Sequence, residues 1–200
     1  MSIELLLGAE AVARGAIDAG IKGAFSYAGT PATEILESVQ AFSKEVWAMW
    51  SANEKVAYEE ALGMSYVGGR ALVSMKHVGL NVAMDPFMSS ALTGAVGGLV
   101  LAVGDDPGMH SSQNEQDSRC LADFAKIPVF EPSTQQECYD MTREAFDLSE
   151  KHGIPVMLRL VTRLSHSRAP VALRPPHERP SSLEAKPLPD PNDWTLVPIN

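Results

Sequence analysis

The chain has 200 residues, of which 45% are hydrophobic and 20% are charged, a balance that is ordinary for a globular core. Its length suits one domain, or one domain with a tail. The formal net charge of -9 argues against a nucleic-acid-binding surface. Cys120 and Cys138 form no Cys-x-x-Cys pair, which excludes a disulfide framework and an iron–sulfur cluster held by this chain alone.

The sequence also predicts where the protein resides. Residues 1–4 lack the basic start and apolar segment of a signal peptide. No apolar run approaches the ~18 residues of a transmembrane helix. We therefore expect a cytoplasmic protein that has neither a membrane nor nucleic acid as a partner.

Helical and strand patterns alternate from residue 8 to about residue 161. The second helix is predicted to open with Thr30 as its N-cap and Pro31 at its first helical position. The other predicted helices cover residues 8–19, 54–67, 77–90, 122–125 and 133–151. The predicted strands cover residues 24–27, 46–50, 71–75, 99–103, 127–130 and 155–160. This alternation predicts a three-layer α/β fold, in which a parallel sheet of about six strands carries helices on both faces.

The composition changes near residue 170, after which prolines become frequent. We therefore expect a domain at 1–169 and a Pro-rich linker or tail at 170–200. The apolar run at 194–200 follows the proline-rich stretch directly and resembles the beginning of a further domain. This pattern favours a fragment, or one half of a divided enzyme.

Four polar loops each follow a predicted strand, at residues 27–31, 53–55, 75–81 and 104–117. Because the carboxyl ends of parallel strands meet at one edge of the sheet, we expect these loops to cluster there. The last loop is long for a compact domain, and such loops are usually functional or disordered.

Glu54 stands where the uncharged run 46–50, predicted to be a buried strand, gives way to an Ala-rich helix. One interpretation is structural: Asn53 is the N-cap, and Glu54 is an acidic residue in the first turn that the helix dipole favours. The other is functional, since the carboxyl edge of a parallel sheet is where α/β proteins bind ligands.

Several common catalytic motifs are missing from the sequence. No metal-ligand spacing of histidines or cysteines occurs, and no G-x-S-x-G elbow supports a serine hydrolase. The glycines Gly63, Gly68 and Gly69 fall late in a predicted helix, so they form no dinucleotide fingerprint. We expect no metal ligand from this chain.

The order of these features resembles the pyrimidine-binding domain of thiamine-diphosphate enzymes. The resemblance rests on the motifs Asn53-Glu54-Lys55-Val56-Ala57 and Lys76-His77-Val78-Gly79-Leu80-Asn81. More narrowly, the stretches 27–31, 51–57, 75–81 and 105–119 are similar to the N-terminal domain of the α subunit of indolepyruvate:ferredoxin oxidoreductase. The resemblance covers roughly residues 3 to 170.

The resemblance implies a role for Glu54 in activating thiamine diphosphate. In these enzymes one glutamate hydrogen-bonds the aminopyrimidine N1′ and promotes the tautomer whose 4′ nitrogen takes the thiazolium C2 proton. This chemistry requires a carboxyl group in an apolar, desolvated site. The other residues implied at the cofactor are Gly29, Lys76, Val78, Gly79 and Asn81.

The resemblance also implies residues at the substrate. His77 is expected to contact the substrate or to shuttle protons, as a second catalytic residue. Thr30 aligns with a threonine near the substrate carboxylate, and His110 and Gln113 belong to a loop that covers the pocket or faces a partner domain. Related pyruvate enzymes have an arginine where Asp105-Asp106 stand here, which favours an aryl pyruvate over pyruvate.

The resemblance implies that much of the enzyme lies outside this chain. The Gly-Asp-Gly…Asn motif that holds the diphosphate and Mg²⁺ is absent, and so are the cysteine runs of iron–sulfur clusters. We expect a chain that is inactive alone and joins a diphosphate-binding domain or chain in a homo- or hetero-oligomer. The whole enzyme would form an acyl-coenzyme A and pass electrons to ferredoxin.

Two alternatives remain open at this point. The chain could be the small subunit of a two-chain thiamine-diphosphate decarboxylase of the sulfopyruvate type. It could also be a non-catalytic α/β partner that kept the fold and lost the chemistry, although the presence of Glu54 argues against this.

Overall fold

A computed structural model describes residues 2–177, together with Asp190 and Leu196. The strands are β1 (Ile3–Leu7), β2 (Gly23–Ser26), β3 (Trp47–Trp50), β4 (Ala71–Lys76), β5 (Leu99–Asp105), β6 (Val129–Phe130), β7 (Val156–Val161) and β8 (Arg168–Ala172). The helices are α1 (Gly8–Asp18), α2 (Thr33–Phe42), α3 (Glu54–Tyr66), α4 (His77–Val82), α5 (Met84–Thr93), α6 (Ser118–Ala125), α7 (Gln135–His152) and α8 (Thr162–Ser165).

Six strands form a parallel sheet in the order β3-β2-β4-β5-β7-β6. This confirms the predicted α/β sheet of six strands. The central strand β5 is buried along its whole length, and its side chains alternate between two cores. Val100 and Ala102 face α1, α2 and α7, whereas Leu101 and Val103 face α3, α5 and α6. Burial on both faces explains why this strand is a continuous apolar run.

The strand before Glu54 differs from its prediction. β3 is the edge strand of the sheet, and within the described residues it pairs only with β2. Trp47 is 64% exposed and Trp50 is 38% exposed. The prediction of a buried strand at 46–50 was therefore wrong, because an uncharged run reports apolar character and not the position of a strand within its sheet.

Two helix boundaries also differ from the sequence analysis. α2 begins at Thr33 with Ala32 as its N-cap, so the prediction that Thr30 caps this helix was wrong. The Thr30–Pro31 peptide bond is cis. The helix predicted at 77–90 is divided at Ala83 into α4 and α5. Pro86 accounts for the break, because proline donates no backbone hydrogen bond and its ring clashes with the carbonyl four residues earlier.

A second, two-stranded sheet was not predicted. β1 pairs antiparallel with β8, in a register that sets Ile3 opposite Ala172 and Leu7 opposite Arg168. The predicted domain boundary at 169 falls inside β8, and the chain continues in contact with the domain. Leu173 is buried, and the Arg143 guanidinium donates a 2.9 Å hydrogen bond to the carbonyl of Pro175. Most of the predicted tail, from residue 178 onward, lies outside the described residues.

Candidate active site

A cleft opens at the carboxyl edge of the large sheet, where the loops after β2, β3, β4 and β5 converge. Its volume is about 600 Å³. The residues that line it are Tyr27, Ala28, Gly29, Glu54, Lys76, Val78, Met109, His110, Ser111, Ser112 and Gln113. The four polar loops singled out in the sequence therefore meet around one cavity.

Glu54 is the first residue of α3 and lines this cleft. The side chain of Asn53 accepts a 3.0 Å hydrogen bond from the backbone N–H of Val56, as an N-cap residue does. Glu54 is partly buried, and within the described residues its carboxylate accepts no hydrogen bond. The structural interpretation of Asn53 is therefore correct, and the helix start that it caps also directs an unpaired carboxylate into the cavity.

Gly79 leaves the space that the Glu54 side chain occupies. A Cβ built on Gly79 would lie 2.5 Å from both Cγ and Oε1 of Glu54. No side chain fits at that distance, so any larger residue at position 79 would displace the carboxylate. The position of the Glu54 carboxylate therefore depends on the absence of a side chain at Gly79.

Lys76 ends β4 and enters the cleft beside Gly29. Its side chain is 8% exposed, and its Nζ donates a 2.6 Å hydrogen bond to the backbone carbonyl of Ser111. A Cβ built on Gly29 would lie 3.1 Å from the Cβ of Lys76, so the glycine allows the two loops to pack closely. Val78 lines the cleft on the same segment and supplies an apolar surface.

His77 points away from the cleft into the protein. It is fully buried, and neither ring nitrogen has a hydrogen-bond partner within the described residues. Burial lowers the pKa of His77; Asp105 opposes this shift, the Lys76 ammonium adds to it, and Asp106 opposes it. The ring is therefore neutral near pH 7, with two unpaired nitrogens behind the segment that lines the cleft.

Four of the predicted site residues are not among those that line the cavity: His77 and Gly79, described above, and Asn81 and Thr30. Asn81 is exposed on α4. Thr30 is half-buried in the loop after β2, outside the lining of the cleft. The first loop is held by Thr33, whose Oγ1 accepts a 2.9 Å hydrogen bond from the N–H of Gly29. Thr33 was overlooked because its hydroxyl serves the loop that precedes its helix.

The long loop is held at one end of the cleft by Asp106. Its carboxylate accepts hydrogen bonds from Thr162 Oγ1 at 2.6 Å and from Ser111 N and Ser112 Oγ at 2.7 Å. Although burial opposes the shift, these hydrogen bonds hold the pKa of Asp106 well below its usual range. His110 and Gln113, both predicted substrate residues, are thereby placed in the lining of the cleft.

Asp105 belongs to a separate buried network behind the loop. Its carboxylate lies 2.7 Å from Arg159 Nε and accepts hydrogen bonds from the backbone N–H and the hydroxyl of Ser118. Arg159 also pairs with Glu131. Neither aspartate at the end of β5 faces the cleft as a free acid.

Five lining residues were not predicted from the sequence: Tyr27, Ala28, Met109, Ser111 and Ser112. Tyr27 and Met109 are 42% and 50% exposed, as apolar walls of an open cleft. The signal for Tyr27 was its place directly after a strand, next to Gly29. No local pattern marks Met109, whose position depends on the path of the long loop.

The lining fits the pyrimidine half of thiamine diphosphate. The Glu54 carboxylate has no hydrogen-bond partner among the described residues, and a ring nitrogen that carries a proton can donate one to it. The lining offers little for a diphosphate, since Lys76 is the one ammonium or guanidinium among the described lining residues. Across residues 2–177, no group of three His, Cys, Asp or Glu side chains could hold a metal ion.

Comparisons with known proteins agree with this geometry. Residues 14–197 match the family model described as pyruvate flavodoxin/ferredoxin oxidoreductase, thiamine diphosphate-binding. The described helices include none long and apolar enough to cross a membrane.

The sequence is similar to subunits of archaeal oxidoreductases. It is 53% identical over 171 residues to the indolepyruvate oxidoreductase subunit IorA of Pyrococcus abyssi, covering 84% of this chain and 26% of that subunit. It is 52% identical over 174 residues to the corresponding subunit of Archaeoglobus fulgidus, covering 84% of this chain and 28% of the relative. The chain thus spans about a quarter of the length of these curated relatives.

One solved structure shares the fold. It is the 2-oxoglutarate:ferredoxin oxidoreductase from Magnetococcus marinus with 2-oxoglutarate, coenzyme A and succinyl-CoA bound, with a TM-score of 0.73 and 20% identity. The match covers 98% of this chain and 33% of that one. Because the family model spans most of the chain, the chain belongs to the thiamine-diphosphate-binding family of pyruvate flavodoxin/ferredoxin oxidoreductases.

Proposed function

We propose that this chain supplies the pyrimidine-binding side of the active site of an aryl-2-oxo acid oxidoreductase of the indolepyruvate type. The observation that carries the proposal is the Glu54 carboxylate, which is unpaired, faces the cleft and is accommodated by Gly79. The reported relatives at 52% to 53% identity are indolepyruvate oxidoreductase subunits, which favours this function over a separate decarboxylase or a non-catalytic partner.

Thiamine diphosphate, when bound, supplies the electron sink for decarboxylation of the 2-oxo acid. Glu54 accepts a hydrogen bond from the aminopyrimidine N1′ and holds the proton there. Gly79 keeps the carboxylate in place, while Val78 and Gly29 form the walls against the ring. The loop 104–117 limits the access of water from the side of Ser111.

His77 has a less direct place in this proposal. Its ring is neutral and buried, so it is suited to hold or accept a proton and not to form an ion pair. Any contact with the substrate requires the segment 76–79 to move, because the ring does not line the cleft. Asn81 and Thr30 stay predicted contacts of the cofactor and the substrate, respectively.

The remaining parts of the site are proposed to come from another domain or chain. That part binds the diphosphate and Mg²⁺, and other parts of the complex hold iron–sulfur clusters and pass electrons to ferredoxin. The lining supports this division, because Lys76 is its one ammonium or guanidinium among the described residues and no carboxylate cluster for a metal accompanies it. The 200-residue chain alone is then expected to bind thiamine diphosphate with a Kd weaker than about 1 mM by calorimetry. Micromolar binding by the chain alone would contradict the divided site.

Glu54→Gln tests the proposal in the thiamine-diphosphate holoenzyme that contains this chain. The amide keeps the size of the side chain and removes the proton-holding carboxylate, so we expect kcat to fall by about 10³-fold or more. Glu59→Gln is the matched control: Glu59 lies on the same helix but is exposed outside the cleft, where it pairs with Lys55. Turnover of Glu54→Gln close to that of Glu59→Gln would remove Glu54 from the mechanism.

A further inference from the structure

The cleft contains one ammonium that no carboxylate neutralises. Within the described residues, no carboxylate oxygen lies within 4 Å of Lys76 Nζ, and the backbone carbonyl of Ser111 is its one hydrogen-bond acceptor. The side chain is 8% exposed. Removing an ammonium from water without a counter-charge is costly, so this arrangement favours the binding of an anion.

Two of the three acids near Lys76 are bound to other groups, and the third, Glu54, does not contact it. Asp105 pairs with Arg159 and accepts both donors of Ser118. Asp106 accepts hydrogen bonds from Thr162 and from the loop residues Ser111 and Ser112. Glu54 makes no hydrogen bond to Lys76 in the structure. Within the described residues, three carboxylates of the same region therefore lie more than 4 Å from the Lys76 ammonium.

Close packing against Gly29, in the loop after β2, fixes the Cβ of Lys76. The Cβ of Lys76 lies where a side chain on Gly29 would collide with it, and the neighbouring Ser74 is held in the sheet between β2 and β5. The Nζ atom then reaches the backbone carbonyl of Ser111, which also lines the cleft. A ligand in this cavity lies close to this ammonium, since Glu54, Lys76 and the long loop all line it.

We propose that Lys76 binds the carboxylate of the 2-oxo acid substrate, and that the Ser111 carbonyl holds this position when no substrate is bound. The inference rests on the proposed function, because it takes the ligand of the cleft to be a 2-oxo acid. It reassigns Lys76 from the cofactor to the substrate. Exchange of a neutral carbonyl for a carboxylate strengthens the hydrogen bond and supplies the missing counter-charge. Tyr27 and Met109 flank the same cavity and offer apolar surface to the aryl part of the substrate.

The test compares two inhibitors of the holoenzyme, 3-phenylpropionate and its amide, which differ in charge at the carboxyl position alone. In Lys76→Met we expect the inhibition constant of the carboxylate to rise on the order of 10- to 100-fold, whereas that of the amide changes by less than about 3-fold. Lys76→Arg keeps a cation and should recover part of the preference for the carboxylate. Lys76→Gln provides the same comparison with a polar neutral side chain if the Met variant fails to assemble.

Ser112→Ala is the matched control for loosening of the loop. It removes one hydrogen bond to Asp106 while the lysine stays in place. We expect any weakening of inhibition in this variant to affect the carboxylate and the amide equally, so that their ratio stays that of the wild type. An unchanged ratio in both Lys76→Met and Lys76→Gln would overturn the proposal.

The outcome separates this inference from the proposed function. Loss of turnover in Glu54→Gln, together with an unchanged inhibitor ratio in the Lys76 variants, refutes the role of Lys76 and leaves the proposed function intact. If the wild-type complex that contains this chain neither binds thiamine diphosphate nor consumes any aryl 2-oxo acid, both proposals are overturned.

Discussion

Two neighbouring stretches of the same sheet edge differ in whether their polar side chains are hydrogen-bonded. At the ends of β5 and β7, Asp105, Asp106 and Arg159 are buried, and each has several partners. At the starts of α3 and α4, the partly buried Glu54 carboxylate has no hydrogen-bond partner within the described residues, and neither buried nitrogen of His77 has one. The two stretches share one sheet edge, yet the polar side chains of the first have hydrogen-bond partners and those of the second do not.

We interpret this difference as a division between residues that stabilise the fold and residues that are available to bind a ligand. Native proteins pair nearly all of their buried polar groups, so each exception needs an explanation. The paired side fixes the position of the long loop, and the unpaired side faces the cavity or lies directly behind it. We therefore expect changes on the paired side to lower stability, and changes on the unpaired side to lower activity.

Asp105→Asn should give the largest loss of stability. The substitution leaves the buried Arg159 with Glu131 as its main counter-charge, and removal of one partner from a buried pair costs about 3 kcal/mol. Urea unfolding of the chain, followed by circular dichroism, measures this cost. Asp123→Asn is the control, because its pair with Lys126 is exposed and should contribute little. Equal unfolding midpoints for Asp105→Asn and Asp123→Asn would show that the buried pairing of Asp105 does not stabilise the protein.

Gly79→Ala should impair activity more than stability. The new Cβ would lie 2.5 Å from the Glu54 carboxylate and force it out of position, and a misplacement of about 1 Å can cost on the order of 10²-fold in rate. The measurement is kcat of the holoenzyme with an aryl 2-oxo acid. Gly63→Ala is the control, since a Cβ there meets nothing within 4 Å, and its kcat should match that of the wild type. A normal kcat for Gly79→Ala would show that the position of Glu54 is not critical.

The sequence predicts the sheet well because its signals are local and repeated. The runs at 71–75 and 99–103 are buried on both faces, and in a parallel sheet such strands are continuous apolar stretches. The convergence of the four loops follows from the same rule, since each ends a parallel strand. The exposure of Trp47 was not predictable in this way, because strand order in the sheet is set by contacts that are distant in the sequence.

The site was only partly accessible to sequence reasoning. Glu54, Lys76 and Gly79 were found because they occupy motif positions next to predicted strand ends. The opposite orientations of Lys76 and His77 were not found, because a helix begins between these neighbours and directs their side chains differently. Ser111 was missed because its carbonyl, and not its side chain, contacts the cleft lysine.

A smaller effect is expected from Asp106→Asn, which weakens the attachment of the long loop. The amide group loses acceptor capacity for Thr162, Ser111 and Ser112, and each lost hydrogen bond is worth about 1 kcal/mol. Hydrogen exchange at Ser111 should therefore become roughly 10-fold faster. Glu115→Gln is the control, because the Glu115 carboxylate accepts an exposed hydrogen bond from the backbone N–H of Gly108 and is not bonded to Ser111 or Thr162. Equal protection in the two variants would mean that Asp106 does not hold the loop.

The same aspartate gives a pH dependence with a defined sign. The pKa of Asp106 is lower in the folded chain than in the unfolded one, so its contribution is present above the unfolded value and is lost as the pH falls through the folded value. Because pH 5 and pH 7 both lie above the unfolded pKa of about 3.9, the free energy that holds the loop should be nearly the same at the two pH values. Exchange rates corrected for intrinsic chemistry measure it, and a clear loss of protection at pH 5 would contradict the assignment.

The smallest expected effect comes from His77, on the unpaired side. Since burial lowers its pKa in the folded chain, the unfolded chain binds more protons as the pH falls below about 6.5, and stability decreases with falling pH. His77→Leu removes this contribution, so its unfolding free energy should depend less on pH between about 7 and about 5, by less than the one-proton limit of roughly 1.4 kcal/mol per pH unit. Parallel urea titrations of both chains at three pH values measure the difference. If the unfolding free energies of the wild type and His77→Leu depend on pH equally, the pKa of His77 is the same in the folded chain as in water. The protonated ring would then have a hydrogen-bond partner in the folded chain. His77 would then belong with Asp105 and Asp106 among the paired residues. Of the two unpaired residues, Glu54 alone would then remain as a group that gains its hydrogen-bond partner from a ligand.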